Sequence, residues 1–205
     1  MRGIRTNKIP VFPQIIRAFK RIKREDFLLP ENKNKAKIDT ALPIGYGQTI
    51  SQPTTVAFML ELLQPEAGDK ILDVGSGSGW TTALLAEIAG KWGEVYGIER
   101  ILELKNFSEQ NISKYSFIKK GRVIIIHGDG YAGLSEYAPF DKILVSAVAL
   151  KTPPQLLAQL KVKGRMVIPI GKQYEGQEIV LYRKISKNKF EIKHFPGFVF
   201  VPLLS

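Results

Sequence analysis

The sequence contains no cysteine. That excludes a disulfide framework and any thiolate metal site. Histidine occurs only at His127 and His194, so a histidine-based metal site is not expected either. No apolar run approaches the ~18 residues that a membrane-spanning helix needs. The basic N-terminus, MRGIRTNKIPVF, is not followed by an apolar stretch, so it does not read as a secretory signal. The expected compartment is the cytoplasm, with no membrane partner and a monomer as the default state. Internal repeats and low-complexity tracts are also missing.

What is present is a core-forming chain with an uneven charge distribution. Hydrophobic residues make up 44% of 205 residues, enough for one substantial core. The formal net charge is +11, and it sits at the two ends. Residues 1–40 carry net +7, residues 41–160 net −2 and residues 161–205 net +6. Basic flanks can steer an anionic partner, nucleic acid included, or can simply solvate the surface.

The middle of the chain alternates. KILDVG (70–75), GEVYGIE (93–99), RVIIIHGDG (122–130), FDKILVSAVA (140–149) and GRMVIPIG (164–171) read as strands. GWTTALLAEIAG (79–90), residues 101–118 and PPQLLAQLK (153–161) read as helices between them. Such alternation predicts an α/β fold with a doubly wound, mostly parallel sheet. An amphipathic basic helix over 13–24 and a second helix over 53–63 precede it. EIVLYRKI and KFEIKHF flank SKNK and predict a C-terminal antiparallel hairpin. Residues 1–52 form the expected N-terminal extension and acceptor-side segment. Residues 53–205 form the expected cofactor-binding unit.

LDVGSGSGW (72–80) carries the clearest chemical signal. Gly75, Gly77 and Gly79 follow a strand and open a helix, where backbone can turn sharply and approach a ligand. Glu99 ends the next strand, 20 residues beyond Gly79, where a carboxylate can accept from both ribose hydroxyls of an adenosine. The spacing is G-x-G-x-G rather than the G-x-G-x-x-G of dinucleotide binding. Asp73, just before the turn, suits a cationic ligand better than a phosphate. These residues favour S-adenosyl-L-methionine over a dinucleotide. Asp129 and Gly130, in HGDG (127–130), stand at a strand end where a carboxylate can accept from an adenine amino group, or can serve a plain Asp-Gly turn.

LPIGYGQTISQP (42–53) is uncharged and turn-rich, neither a good helix nor a clean strand. With ILDVGSGSG, VYGIE, HGDG, APFDKILV and LKVKGRMVIPIG, it resembles the protein-L-isoaspartate O-methyltransferase family from about Ala18 to Leu203. The resemblance implies a Rossmann-like class I methyltransferase with additions at both ends. It implies S-adenosyl-L-methionine as cofactor and an isoaspartyl peptide or protein, a damaged chain awaiting repair, as acceptor. It places the family's active-site serine on Ser51. The cofactor residues fall on the Gly75–Gly79 turn (with Ser76), Glu99 and Asp129–Gly130, and Thr49 is an added donor near the cofactor. Thr54 stands where relatives usually carry an aromatic residue. The loop SAVALKTPP, with Lys151, replaces the family's usual one, and no Arg adjoins the terminal FVPL.

The chemistry fits an uncharged site. A carboxylate acceptor has a reference pKa near ~4 and arrives ionised, so no general base is required. Ser51 then reads as an orienting hydroxyl, not a nucleophile, since no G-x-S-x-G elbow is present. Two alternatives stand beside this reading. One is a class I methyltransferase of another acceptor such as RNA, although SAVA replaces the Asn/Asp-Pro-Pro-aromatic motif of amino-methylating DNA enzymes. The other is a cofactor-binding homologue without isoaspartyl activity.

Overall fold

The computed structural model describes residues 12–172 and 176–204. The first helix, α1 (Pro13–Arg21), buries Ile15 and Ala18 and leaves its basic side in water. Two short 3-10 turns, Arg24–Phe27 and Pro30–Lys35, occupy the stretch that the sequence leaves irregular. The segment after them forms an antiparallel hairpin of β1 (Leu42–Gly45) and β2 (Gln48–Ile50). Its turn has positive φ at Gly45, Tyr46 and Gly47 in succession. Helix α2 (Pro53–Leu63) follows, with Pro at a position where no N–H is needed.

The main sheet has seven strands in the order β5-β4-β3-β6-β7-β8-β9. Its members are β3 (Lys70–Val74), β4 (Glu94–Glu99), β5 (Val123–His127), β6 (Phe140–Val145), β7 (Leu160–Ile170), β8 (Gln177–Ser186) and β9 (Lys189–Phe198). Strands β3 to β7 pair in parallel, and β7–β8–β9 pair antiparallel as a terminal meander. Helices α3 (Trp80–Ala89), α4 (Leu102–Ser113) and α5 (Pro154–Gln159) make the crossovers. The doubly wound sheet and its C-terminal hairpin match the expectation from the alternation.

The sheet is covered on both faces, and the buried residues fall into two clusters. One joins Ile15 and Phe27 of the N-terminal segment and Ile44 of β1 to Leu84 of α3 and Ile179 of β8. The other packs Leu72, Ile143 and Ile168 against Leu156 of α5. The central strands are buried almost along their length, with Val74, Ile143 and Val145 at 0% exposure. That is why they read as continuous apolar runs rather than as alternating ones.

Several boundaries differ from those the sequence suggests. Helix α4 stops at Ser113, because the chain turns through 114–121 with Ser116 at positive φ and Phe117 buried. Strand β6 stops at Val145, since Val148 and Ala149 leave it to bridge Pro202 and Ile170. Strand β7 begins at Leu160, four residues earlier than Gly164, with a register shift opposite β6. The order of the sheet reverses at β3, where β4 lies on one side and β6 on the other. In open α/β sheets such a switch point opens a crevice beyond the strand C-termini.

Candidate functional site

The crevice holds an open cavity. Its floor is the turn between β3 and α3. Gly75, Gly77 and Gly79 all have positive φ, so the turn bends in a way that residues with a side chain resist. Gly75 N–H donates to Ile98 O at 2.9 Å, which ties the turn to β4. The register Val74↔Ile98 then brings Glu99 to the turn's side. Glu99 Oε2 accepts from Gly77 N–H at 2.8 Å, and Oε1 accepts from Ile101 N–H at 3.0 Å. One carboxylate therefore fixes both the glycine turn and the entry to α4, with one edge at the cavity.

The sequence-derived residues divide into two groups. Ser51, Thr49, Gly75, Ser76, Gly77, Glu99 and Gly130 all line this cavity. Asp73, Gly79 and Asp129 do not. Asp73 is a correction in placement: it is 0% exposed, behind the turn. Its Oδ2 accepts from Thr82 Oγ of α3 at 2.6 Å. Burial first of all pushes its carboxyl up to about 7, Thr82 and Ser146 pull it down, and the charge of Glu99 raises it. Gly79 is needed for packing. A Cβ there would lie 2.5 Å from Ser108 Oγ and 2.9 Å from Ile112 Cδ1 of α4. Asp129 Oδ1 accepts from Tyr131 N–H at 2.9 Å and so holds its own turn. Gln159 braces the loop behind it, donating to Ala132 O and accepting from Leu134 N–H, both at 2.8 Å.

Ser76 and Trp80 line the cavity, and their Oγ and Nε1 atoms are buried with no hydrogen-bond partner among the described residues. Orphaned polar atoms at a cavity wall call for a polar ligand. Together with the Glu99 carboxylate, they fit a nucleoside bearing a polar tail. Among the described residues, no group of three or more His, Asp or Glu could hold a metal ion.

A second cavity, of about 400 Å³, opens beside the first. The two share Thr49, Ser51, Ser146, Val201 and Pro202. Three hydroxyl-bearing residues thus wall the junction, two from the β2 segment and Ser146 just past the end of β6. Gln52, Gln177 and Phe200 extend the second cavity, and among the described residues no charged side chain lines it. Lys151, which the sequence puts on the acceptor side, is exposed and outside this lining. Sequence reasoning missed Ser146, Trp80 and the terminal segment 201–204 as wall residues. The only signal for the last was its FVPL motif.

The segment around Ser51 is held from behind. Arg24, buried among backbone carbonyls, reaches Ser51 O at 3.1 Å. Burial draws its guanidinium below its usual range, while the charge of Asp39 raises it. Asp39 accepts from Thr54 N–H at 2.9 Å, Thr54 Oγ at 2.8 Å and Gln52 Nε2 at 3.0 Å. Burial pushes the Asp39 carboxyl up, but these bonds and Arg24 outweigh it and hold it below the usual range. Thr54 is thereby a partner of Asp39.

Comparison with known proteins gives a consistent picture. A family model described as protein-L-isoaspartate(D-aspartate) O-methyltransferase matches residues 1–205. The chain is 43% identical over 191 residues to a protein-L-isoaspartate O-methyltransferase of Methanococcoides burtonii, covering 93% of this chain and 92% of that protein. It is 44% identical to one of Christiangramia forsetii, covering 93% and 86%. Among solved structures, a putative protein-L-isoaspartate O-methyltransferase of Plasmodium falciparum in complex with S-adenosyl-L-homocysteine superposes with a TM-score of 0.84. Identity there is 29%, with 94% of this chain and 91% of that one covered.

Proposed function

The chain belongs to the protein-L-isoaspartate(D-aspartate) O-methyltransferase family, and from that membership we propose that it methylates the free carboxylate of L-isoaspartyl residues in damaged proteins. Bound S-adenosyl-L-methionine supplies the methyl group from a sulfonium. The new ester can lose methoxide where a carboxylate would have to lose oxide, so the next backbone nitrogen attacks the ester carbonyl, methanol departs, and water reopens the resulting succinimide in part to normal aspartate.

The observation that carries this reading is the uncharged junction between the two cavities, walled by Thr49, Ser51 and Ser146. An ionised carboxylate needs orientation and proximity, not deprotonation. Hydroxyls supply orientation without neutralising the nucleophile, as a nearby cation would. In this reading Glu99 and the Gly75–Gly77 turn hold the donor, and Ser76 and Trp80 wall its cavity. Gly130 shapes the base end. Ser51 orients the acceptor. Among the described residues no helix is long and apolar enough to cross a membrane, which suits an enzyme acting on dissolved chains.

The test is transfer of labelled methyl to an isoaspartyl peptide, with the matching aspartyl peptide as control. Incorporation only in the former supports the reading. Equal labelling of both, or labelling of bulk RNA instead, overturns it. Ser51→Ala is expected to lower kcat on the isoaspartyl peptide by about 10- to 100-fold, the loss of one or two hydrogen bonds made to a charged acceptor. S-adenosyl-L-methionine affinity in that variant is expected to stay within about 2-fold, since the Glu99 and glycine-turn contacts remain. Undiminished turnover would remove Ser51 from the mechanism.

A further inference from the structure

The β1–β2 hairpin forms its own two-stranded sheet and shares no ladder with the seven-stranded one. Its position over the donor cavity therefore depends on side chains. At its base stands Arg24, 6% exposed. Nη1 donates to Ala36 O at 3.3 Å and to Ile38 O at 3.0 Å. Nη2 donates to Thr40 O at 2.7 Å and to Ser51 O at 3.1 Å. Thr40 precedes the hairpin and Ser51 directly follows it, so one nitrogen closes both ends. The guanidinium also lies over the Trp80 ring, 5.5 Å from its centroid. Trp80 opens α3 and lines the donor cavity. Arg24 thus touches the acceptor segment and the donor wall at once.

We propose that Arg24 is a positioning residue for methyl transfer: it fixes Ser51 at the junction of the two cavities by tying both ends of the hairpin to the donor wall at Trp80. The inference rests on the acceptor reading of Ser51 given above. Arginine suits the task because its planar fork offers five donors in fixed directions and a flat face that stacks on an aromatic ring. A lysine at this position keeps the charge but spans fewer carbonyls. Asp39 completes the brace from the other side, holding Gln52 and Thr54 immediately after Ser51.

The experiment compares wild type, Arg24→Lys and Arg24→Met. In Arg24→Met, kcat/KM for an isoaspartyl peptide is expected to fall about 10²-fold, the scale of a displacement of about 1 Å at a reacting group. Arg24→Lys is expected to recover about 10-fold of that, retaining the charge and part of the donor set. Affinity for S-adenosyl-L-homocysteine, measured by calorimetry, is expected to move by less than about 3-fold, because the donor-holding groups stay in place. Amide exchange should accelerate across residues 42–51 and remain unchanged in β3 and α3. Loss of cofactor affinity and of β3 and α3 protection in step with activity would mark general destabilisation and overturn the proposal. Full kcat/KM in Arg24→Met would overturn it too. If wild type itself methylates no isoaspartyl peptide, the function proposed above fails, while the exchange pattern and the cofactor affinity still decide the placement of Arg24.

Discussion

Glu99→Ala is expected to weaken S-adenosyl-L-methionine binding by about 10³-fold, as read by calorimetry on the folded variant. The carboxylate is 7% exposed and accepts two backbone N–H groups, from Gly77 and Ile101. Those two bonds are made with and without ligand and bear on stability, whereas the diol of a bound ribose would donate two hydrogen bonds to the carboxylate, and hydrogen bonds to a charged group contribute about 1.5–3 kcal/mol each. Two such losses come to about 4 kcal/mol, which is about 10³-fold in affinity. The glycine turn would relax exactly where the donor must be gripped, and the diol of a bound ribose would lose its acceptor.

Glu99→Gln separates these two effects. The amide keeps an acceptor oxygen for one N–H but presents an NH₂ to the other, so about half the loss in free energy should remain. Thermal melting alongside calorimetry distinguishes a loosened turn from a missing ligand contact. Affinity within a few-fold of wild type in Glu99→Ala would leave Glu99 only its bonds to the glycine turn and to Ile101, and the sugar would have to be held elsewhere.

Glu99 also illustrates what the sequence makes legible. A spacing of 20 residues from Gly79 becomes a contact because β3 and β4 pair in parallel with Val74 opposite Ile98. Parallel pairing of neighbouring βαβ strands is a near-rule, so that step could be taken from sequence. The strands KILDV, EVYGIE and FDKILV were equally plain, since burial on both faces leaves continuous apolar runs. The β1–β2 hairpin was not. Its strands have four and three residues, too short for alternation to register, and its turn uses positive φ at Tyr46 as well as at two glycines. Arg24 was invisible for a different reason. Its partners are carbonyls at positions 36, 38, 40 and 51, and carbonyls carry no side-chain signature. Asp73 was seen but misdirected. Successive side chains of a strand point to opposite faces, and that of Asp73 points toward Thr82 of α3 rather than into the cavity.

That buried position gives Asp73 a measurable consequence, and Asp73→Asn is expected to remove it. The carboxyl rises from 3.8 to about 7, chiefly because burial disfavours its charged form. The folded protein therefore binds this proton more tightly than the unfolded chain does. Stability from this group is fully present below pH 4, declines as pH rises between about 4 and 7, and is gone above that. At about 1.4 kcal/mol per pH unit the whole decline is about 4 kcal/mol. Asparagine has the same shape, no charge, and an oxygen that can still accept from Thr82 Oγ. Asp39 and Asp141, whose carboxyls are held below their usual range, contribute the opposite slope at lower pH. The informative quantity is thus the difference between the two proteins, not either curve alone. Denaturant midpoints taken from pH 4 to pH 8 should coincide at the acid end and separate as pH rises, with the variant the more stable by up to about 4 kcal/mol. Parallel curves across that range would mean that Asp73 carries no raised proton affinity in the folded state, and that Thr82 and Ser146 solvate its charge well enough to cancel the cost of burial.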